Sequence, residues 1–123
     1  MTKDNPIIQY TQITSSTFGD KKYLKLFESG VVQTTTSNYF EKEKILSESN
    51  IGKEQILSYV NQLIEAGFQN CEPTYRDIST RDGRIEELEL NYNRINKTVR
   101  FENNRGSKRL NDLIDELTGL MKE

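Results

Sequence analysis

The stretch Gly52–Phe68, GKEQILSYVNQLIEAGF, carries a start signal, an apolar face and a stop signal together, and it constrains the fold more than any other part of the chain. Gly52 is suited to the N-cap, which puts Ile56 at the fourth helical position and lets Ile51, just before the cap, staple onto it. Ile56, Val60, Leu63 and Ile64, with Leu57 at the edge, recur every three or four residues and gather on one face. Gly67 stands where a left-handed residue ends a helix, and Phe68 behind it can fold back on Leu63. A helix of about fifteen residues is marginal alone in water, so its apolar face needs a surface made elsewhere in the chain. The remaining segments are patterned as a sheet.

Pro6 opens Ile7–Ile13, which reads as a strand, and Ser15–Lys22 reads as a loop. Tyr23–Phe27 and Val31–Thr36 are β-branched and aromatic arms around Glu28-Ser29-Gly30, the pattern of a hairpin. Tyr39–Ser47 mixes apolar residues with the charges from Glu41 to Lys44 and is a possible further edge strand. Gln69–Gly83, with Pro73 and Asp82-Gly83, reads as a connection. In Ile85–Tyr92 strict alternation puts Leu88, Leu90 and Tyr92 on one face and Glu87, Glu89 and Asn91 on the other. Asn93–Asn96 is a turn, and Lys97–Glu102 returns with Val99 and Phe101 inward and Thr98, Arg100 and Glu102 outward. Asn103–Gly106 breaks that strand, and Ser107 caps a last helix whose apolar face runs from Leu110 through Leu113, Ile114 and Leu117 to Leu120 and Met121. Gly119 either ends this helix or sits inside it.

The expected architecture is therefore α+β: an antiparallel sheet of about five strands with both helices packed on one face. The order is strand, hairpin, possible edge strand, helix, hairpin, helix. A hairpin followed by a helix occurs twice, without residue identity between the halves.

At 123 residues the chain suits a single domain over 1–123, with the polar residues 1–5 expected to be flexible. Hydrophobic residues make up 33% and charged residues 29%, so the core is modest and the surface heavily solvated. No window approaches the roughly eighteen apolar residues of a membrane span, and MTKDNPIIQY lacks the order of a signal peptide. These features give a cytoplasmic expectation, away from membranes. The one cysteine, Cys71, has no partner for an internal disulfide and no basic neighbour in sequence, so it reads as a structural or incidental thiol.

The chain contains no histidine, which removes the commonest general base, the Ser-His and Cys-His nucleophile pairs and most zinc sites. There is no glycine-rich phosphate loop or nucleophile elbow. Asp77–Gly83, DISTRDG, resembles a calcium loop in composition, but counting from Asp77 puts Asp82 where that loop needs glycine and Leu88 where it needs glutamate. Glu86, Glu87 and Glu89 straddle strand parity, so only Glu87 and Glu89 share the outer face, as an exposed edge would have them. No cofactor, no metal and no enzymatic activity are expected, and an enzyme working with carboxylates alone is the weakest reading.

Charge placement is the sharpest anomaly in a chain of net charge −2. All seven arginines follow residue 75, and from Arg94 to Arg109 six basic residues, Arg94, Lys97, Arg100, Arg105, Lys108 and Arg109, face one acid, Glu102. Lys108 and Arg109 also occupy the first turn of the last helix, where the macrodipole favours acids. These six form the candidate partner- or anion-binding set, converging on one end of the domain. The alternative is a solvated rim neutralised by Glu87 and Glu89 across the hairpin.

Phe18-Gly19 followed by Tyr23, Leu24, Leu26 and Gly30-Val31 resembles an uncharacterised bacterial family that opens with a Phe-Gly motif, then a Tyr-led strand, a helix, a second hairpin and a leucine-rich helix. The resemblance runs from about Ile7 to Leu120; the cysteines that flank the family's motif are absent, with Thr17 and Lys21 or Lys22 in that neighbourhood. The same order is similar to that of emfourin-like metalloprotease inhibitors. Residues 23–68 also resemble a WGR domain, ending in Gly67-Phe68 but without its tryptophan. These likenesses imply a binding module and carry over no site residue.

The leading expectation is a small protein that binds another protein as an inhibitor, immunity or adaptor module, through a sheet edge and the basic set. The alternative is nucleic-acid or phosphate binding through Arg94–Arg109, with Tyr92 as a stacking residue should it turn outward. The partner's identity and the oligomeric state stay open.

Overall fold

The computed structural model of the protein describes residues 5–14, 19–40, 42–76, 85–102 and 104–121. The Asp77–Gly83 loop, Phe18 of the Phe-Gly pair, Thr17 and residues 1–4 lie outside the described residues. Among those described, β1 (Ile8–Ile13), β2 (Lys21–Leu26), β3 (Val31–Ser37) and β4 (Lys44–Asn50) precede helix α1 (Lys53–Glu65). A 3₁₀ turn, Phe68–Asn70, leads to β5 (Thr74–Arg76), β6 (Ile85–Tyr92), β7 (Ile95–Glu102) and helix α2 (Lys108–Thr118). The strands form one sheet in the order β4-β3-β2-β1-β6-β7-β5, antiparallel except where β5 runs parallel to β7.

Strand parity decides where the core lies. Leu24, Tyr10, Leu88 and Val99 are aligned across β2, β1, β6 and β7, and Val32, Leu26, Ile8 and Leu90 make the adjacent row. All eight are buried and belong to one cluster with Ile56, Val60 and Leu63 of α1 and Leu110, Leu113, Ile114 and Leu117 of α2. Both helices therefore cover the same side of the sheet. The opposite side carries Gln9, Lys25, Gln33, Glu87, Glu89, Thr98 and Arg100, the polar half of the alternation.

The sheet has seven strands rather than about five. The possible edge strand exists but lies further along, at Lys44–Asn50 instead of Tyr39–Ser47, and the strand read as starting at Tyr23 starts at Lys21. The expected connection Gln69–Gly83 contains β5, whose three residues beside Pro73 are too few to show a period. The expected turn Asn93–Asn96 is two residues, Asn93-Arg94, with Tyr92 paired to Ile95. Both turn residues have positive φ, 49° and 70°, as a tight hairpin matched to sheet twist requires.

The ends of α1 follow their sequence signals. Gly52 is the N-cap, and Ile51 packs against the core beside it. Gly67 is left-handed with φ 82° and donates its N–H to the Ile64 carbonyl at 3.0 Å, while Phe68 is fully buried. One assignment on its face is corrected: Ile64 is 36% exposed and Tyr59 is buried in its place. The face is centred on Ile56, Val60 and Leu63, which puts Ile64 one step past the rim; the ring of Tyr59 is apolar and fills the inner position. On α2 the Ser107 hydroxyl accepts from the Leu110 N–H at 3.2 Å, and the helix ends at Gly119.

Candidate functional site

The six basic residues of the candidate set occupy different surfaces. Arg94 is exposed at the tip of the β6–β7 hairpin, and Lys108 is exposed in the first turn of α2. Neither enters an ion pair among the described residues. Lys97 lies on the helix side and donates from Nζ to the carbonyls of Gln69, at 3.0 Å, and Cys71. Arg100 lies on the open side between two acids, with Nη1 at 3.3 Å from Glu87 and Nε at 2.9 Å from Glu102. Glu102 also receives Arg76 at 2.9 Å; hydrogen bonds from Arg76 and then Arg100 hold its carboxyl below the usual range. Glu89 pairs in register with Thr98. Arg109 reaches Glu65 at the end of α1, donating to its carboxylate at 3.1 Å and its backbone carbonyl at 3.3 Å. Helix α1 has no basic residue in its own last turn, so this guanidinium supplies the positive charge that its terminus favours.

Arg105 is the most enclosed of the arginines in the set. The inner-face row beyond Tyr10 and Leu88 turns polar, because Gln12 is aligned with Lys22 on one side and Glu86 on the other. Glu86 is 2% exposed. Arg105 grips it with both ends of the guanidinium, Nε to Oε1 at 3.0 Å and Nη2 to Oε2 at 2.8 Å, and Tyr10 donates its hydroxyl to Oε2. Nη1 of Arg105 reaches Asn111 at 3.1 Å and Asp115 at 2.7 Å on α2. Burial first, and the hydrogen bond to Glu86 second, push the Tyr10 hydroxyl well above its usual pKa. Bonding to Glu86 raises that of Arg105 against its partial burial. A buried acid that is bidentately paired and further hydrogen-bonded is a clamp between β1, β6 and α2. Parity alone could have placed Glu86 inward; its partner, in the break before α2, had no sequence signal.

The exposed apolar surface lies elsewhere. Tyr39 is 77% exposed, Phe40 76% and Ile45 56%, and Leu46 beside them is also open. All four belong to the approach to β4 or to the strand itself, which is an outer strand of the sheet. Between Thr34 and Thr35 the β3–β4 register shifts, so Leu46 is an extra residue in a bulge. Register also gathers basic residues here: Lys44 and Lys22 flank Thr36 from opposite strands, and Lys21 is opposite Ser37. Lys25 and Glu43 form an ion pair at 2.6 Å, whereas Lys21, Lys42 and Lys44 are exposed and enter none among the described residues. These residues are spread over two segments, one of which reads as a loop, so only strand register brings them together. The open face beside β4 has a groove of about 540 Å³ lined by Lys25, Phe27, Gln33, Glu43, Ile45 and Glu48, among others.

A second cleft, about 480 Å³, lies between the end of α1 and the start of α2 and is lined by Gly67, Cys71, Tyr75, Gly106 and Ser107. Cys71 is half-buried there, with Sγ 3.6 Å from the Gly67 carbonyl. Among the described residues no three His, Cys, Asp or Glu side chains are grouped to hold a metal, and no helix is long and apolar enough to cross a membrane. No known family's sequence profile matches the chain, and a search of curated proteins finds no significant match.

Proposed function

We propose that this chain works by binding another protein, as an inhibitor, immunity or adaptor module rather than as an enzyme, and that the partner docks against β4. The observation that carries this reading is the concentration of Tyr39, Phe40, Ile45 and Leu46 along one open strand edge. An open edge offers main-chain donors and acceptors to an added strand, and the apolar side chains beside it supply the contact area. Of the Arg94–Arg109 set, Arg94 and Lys108 contribute as a secondary contact. The nucleic-acid alternative draws on the same set, and carboxylates at Arg100, Arg105 and Arg109 leave it less charge to offer a phosphate backbone.

The test is photo-crosslinking in the native host with a reactive residue at Leu46, compared with one at Asp112 on the exposed face of α2. Protein adducts at position 46 and none at 112 are expected. Adducts at 112 without any at 46 overturn the reading. In parallel, anisotropy of labelled single- and double-stranded oligonucleotides is expected to stay flat at low salt. Steeply salt-dependent binding lost in Arg94→Ala/Lys108→Ala would put the nucleic-acid reading first.

A further inference from the structure

The chemistry of the β4 edge narrows what can sit on it. A second copy of the chain is the first candidate, because antiparallel pairing of two β4 strands about Leu46 would set each Lys44 opposite the other's Glu48. The bulge removes that complementarity. Glu48 is paired with Gln33 and Lys44 with Thr36, and these β3 residues point to opposite sides of the sheet. Two copies related by a two-fold axis normal to the sheet would therefore put lysine and glutamate on different faces.

Without that charge match a foreign strand is the better-supported occupant, and the surroundings of the edge state its character. Three features coincide: an open strand edge, apolar side chains at Ile45 and Leu46 with Tyr39 and Phe40 at the entrance, and exposed Lys21, Lys42 and Lys44 that enter no ion pair among the described residues. Nucleic acid would use the aromatic rings and the lysines but has no use for a row of main-chain amides and carbonyls. An extended peptide uses all three. Alternating side chains let one parity rest on Ile45, which shares a face with Thr35, while the other meets Lys44, which shares a face with Thr36.

Resting on the protein-binding reading above, we infer that the occupant of the β4 edge is an extended peptide segment alternating apolar and acidic residues, its acids lying beside Lys42 and Lys44. The lysines set specificity and approach, and the edge and apolar residues hold the segment in register.

The test is selection of a random dodecapeptide phage library on the intact protein, followed by binding of a synthetic peptide carrying the enriched sequence. Enrichment of aspartate or glutamate alternating with apolar residues is expected. The synthetic peptide should lose about tenfold in affinity against Lys42→Glu/Lys44→Glu, and recover when its own acids are replaced by lysine. Both substitutions fall on exposed side chains, and an unchanged circular dichroism spectrum verifies the fold. Peptides without acids that are lost with Leu46→Asp would overturn the inference and leave the edge reading standing. Peptides indifferent to both variants would overturn both. Failure to enrich any sequence counts against the peptide, while the crosslink at Leu46 judges the edge separately. A dimer dissolved by Leu46→Asp, or an oligonucleotide that displaces the peptide and needs the same lysines, would assign the edge to that occupant instead.

Discussion

Arg94 sits with φ 70° as the second central residue of the β6–β7 turn, a position at which glycine is usual. Its side chain is exposed and pairs with no acid among the described residues, so the strain is not offset by a contact there. Arg94→Gly should stabilise the fold by a net of about 0.5–1 kcal/mol, read as a higher urea midpoint with an unchanged m value, the relief of the left-handed conformation being partly cancelled by a freer unfolded chain. A lowered midpoint would mean that Arg94 makes a stabilising contact. The reverse case is Gly30, which has φ 105° and stands so close to the start of α1 that an added Cβ would lie 2.8 Å from Gly52 backbone atoms and from Asn50 Oδ1. Gly52 itself has φ 92° but open space beside it. Both alanine substitutions carry the backbone penalty, and Gly30→Ala adds overpacking, so it should be the more destabilising by roughly 1–3 kcal/mol. Equal losses in denaturant titrations would show that the junction can move apart. Gly30 and Gly67 are legible in the sequence because a short hairpin turn and a helix stop each demand them. The strain at Arg94 is not, since an Asn-Arg pair gives no sign that its second residue turns left-handed.

The strictly alternating β6 is read correctly from the sequence, β7 apart from its first two residues, and the two capped helices apart from Ile64. Edges and the polar row are where reading fails. β5 is held by Tyr75 stacked 6.0 Å from Phe101 and by Arg76 on Glu102, contacts made by residues distant in sequence. Glu86 looks like one more acid on a charged strand, yet it anchors the clamp that joins β1, β6 and α2. Tyr10 is the neutral donor of that clamp, and its function depends on keeping its proton. Its folded pKa is raised above the 10.0 of a free tyrosine, by burial first and by Glu86 second. Its contribution is therefore complete below about pH 10 and lost as the pH rises beyond it. Tyr10→Phe should cost about 1–2 kcal/mol near neutrality by taking a donor from a buried carboxylate. The difference between wild type and variant should shrink when urea titrations are repeated at about pH 8, 10 and 11. A constant difference across that range would mean that folding leaves the proton affinity of the hydroxyl unchanged.

Across the whole molecule, strand order ties the two ends of the chain together. β1 pairs with its neighbour in sequence, β2, on one side and with the distant β6 on the other, so neither half can complete the core without it. Sequence gives the pairing of hairpins but not this central junction, which depends on Ile8 and Tyr10 matching Leu90 and Leu88 across a long loop closure. The rims are thin by comparison: β4 is mostly exposed and bulged, and β5 has three residues. Amides of β1 and β6 should therefore exchange with solvent only on global unfolding, while those of β4 exchange by local opening, at least a hundredfold faster. Native-state hydrogen exchange over a denaturant series distinguishes the two classes, because only global opening accelerates steeply with denaturant. Uniform protection from β4 to β5 would show that the sheet opens as one unit. The same experiment bears on the docking edge: a strand added to β4 shields that rim on both sides and should slow its amides well beyond any change in β5. Binding that leaves β4 exchange untouched, or slows only β5, would move the interface away from this edge.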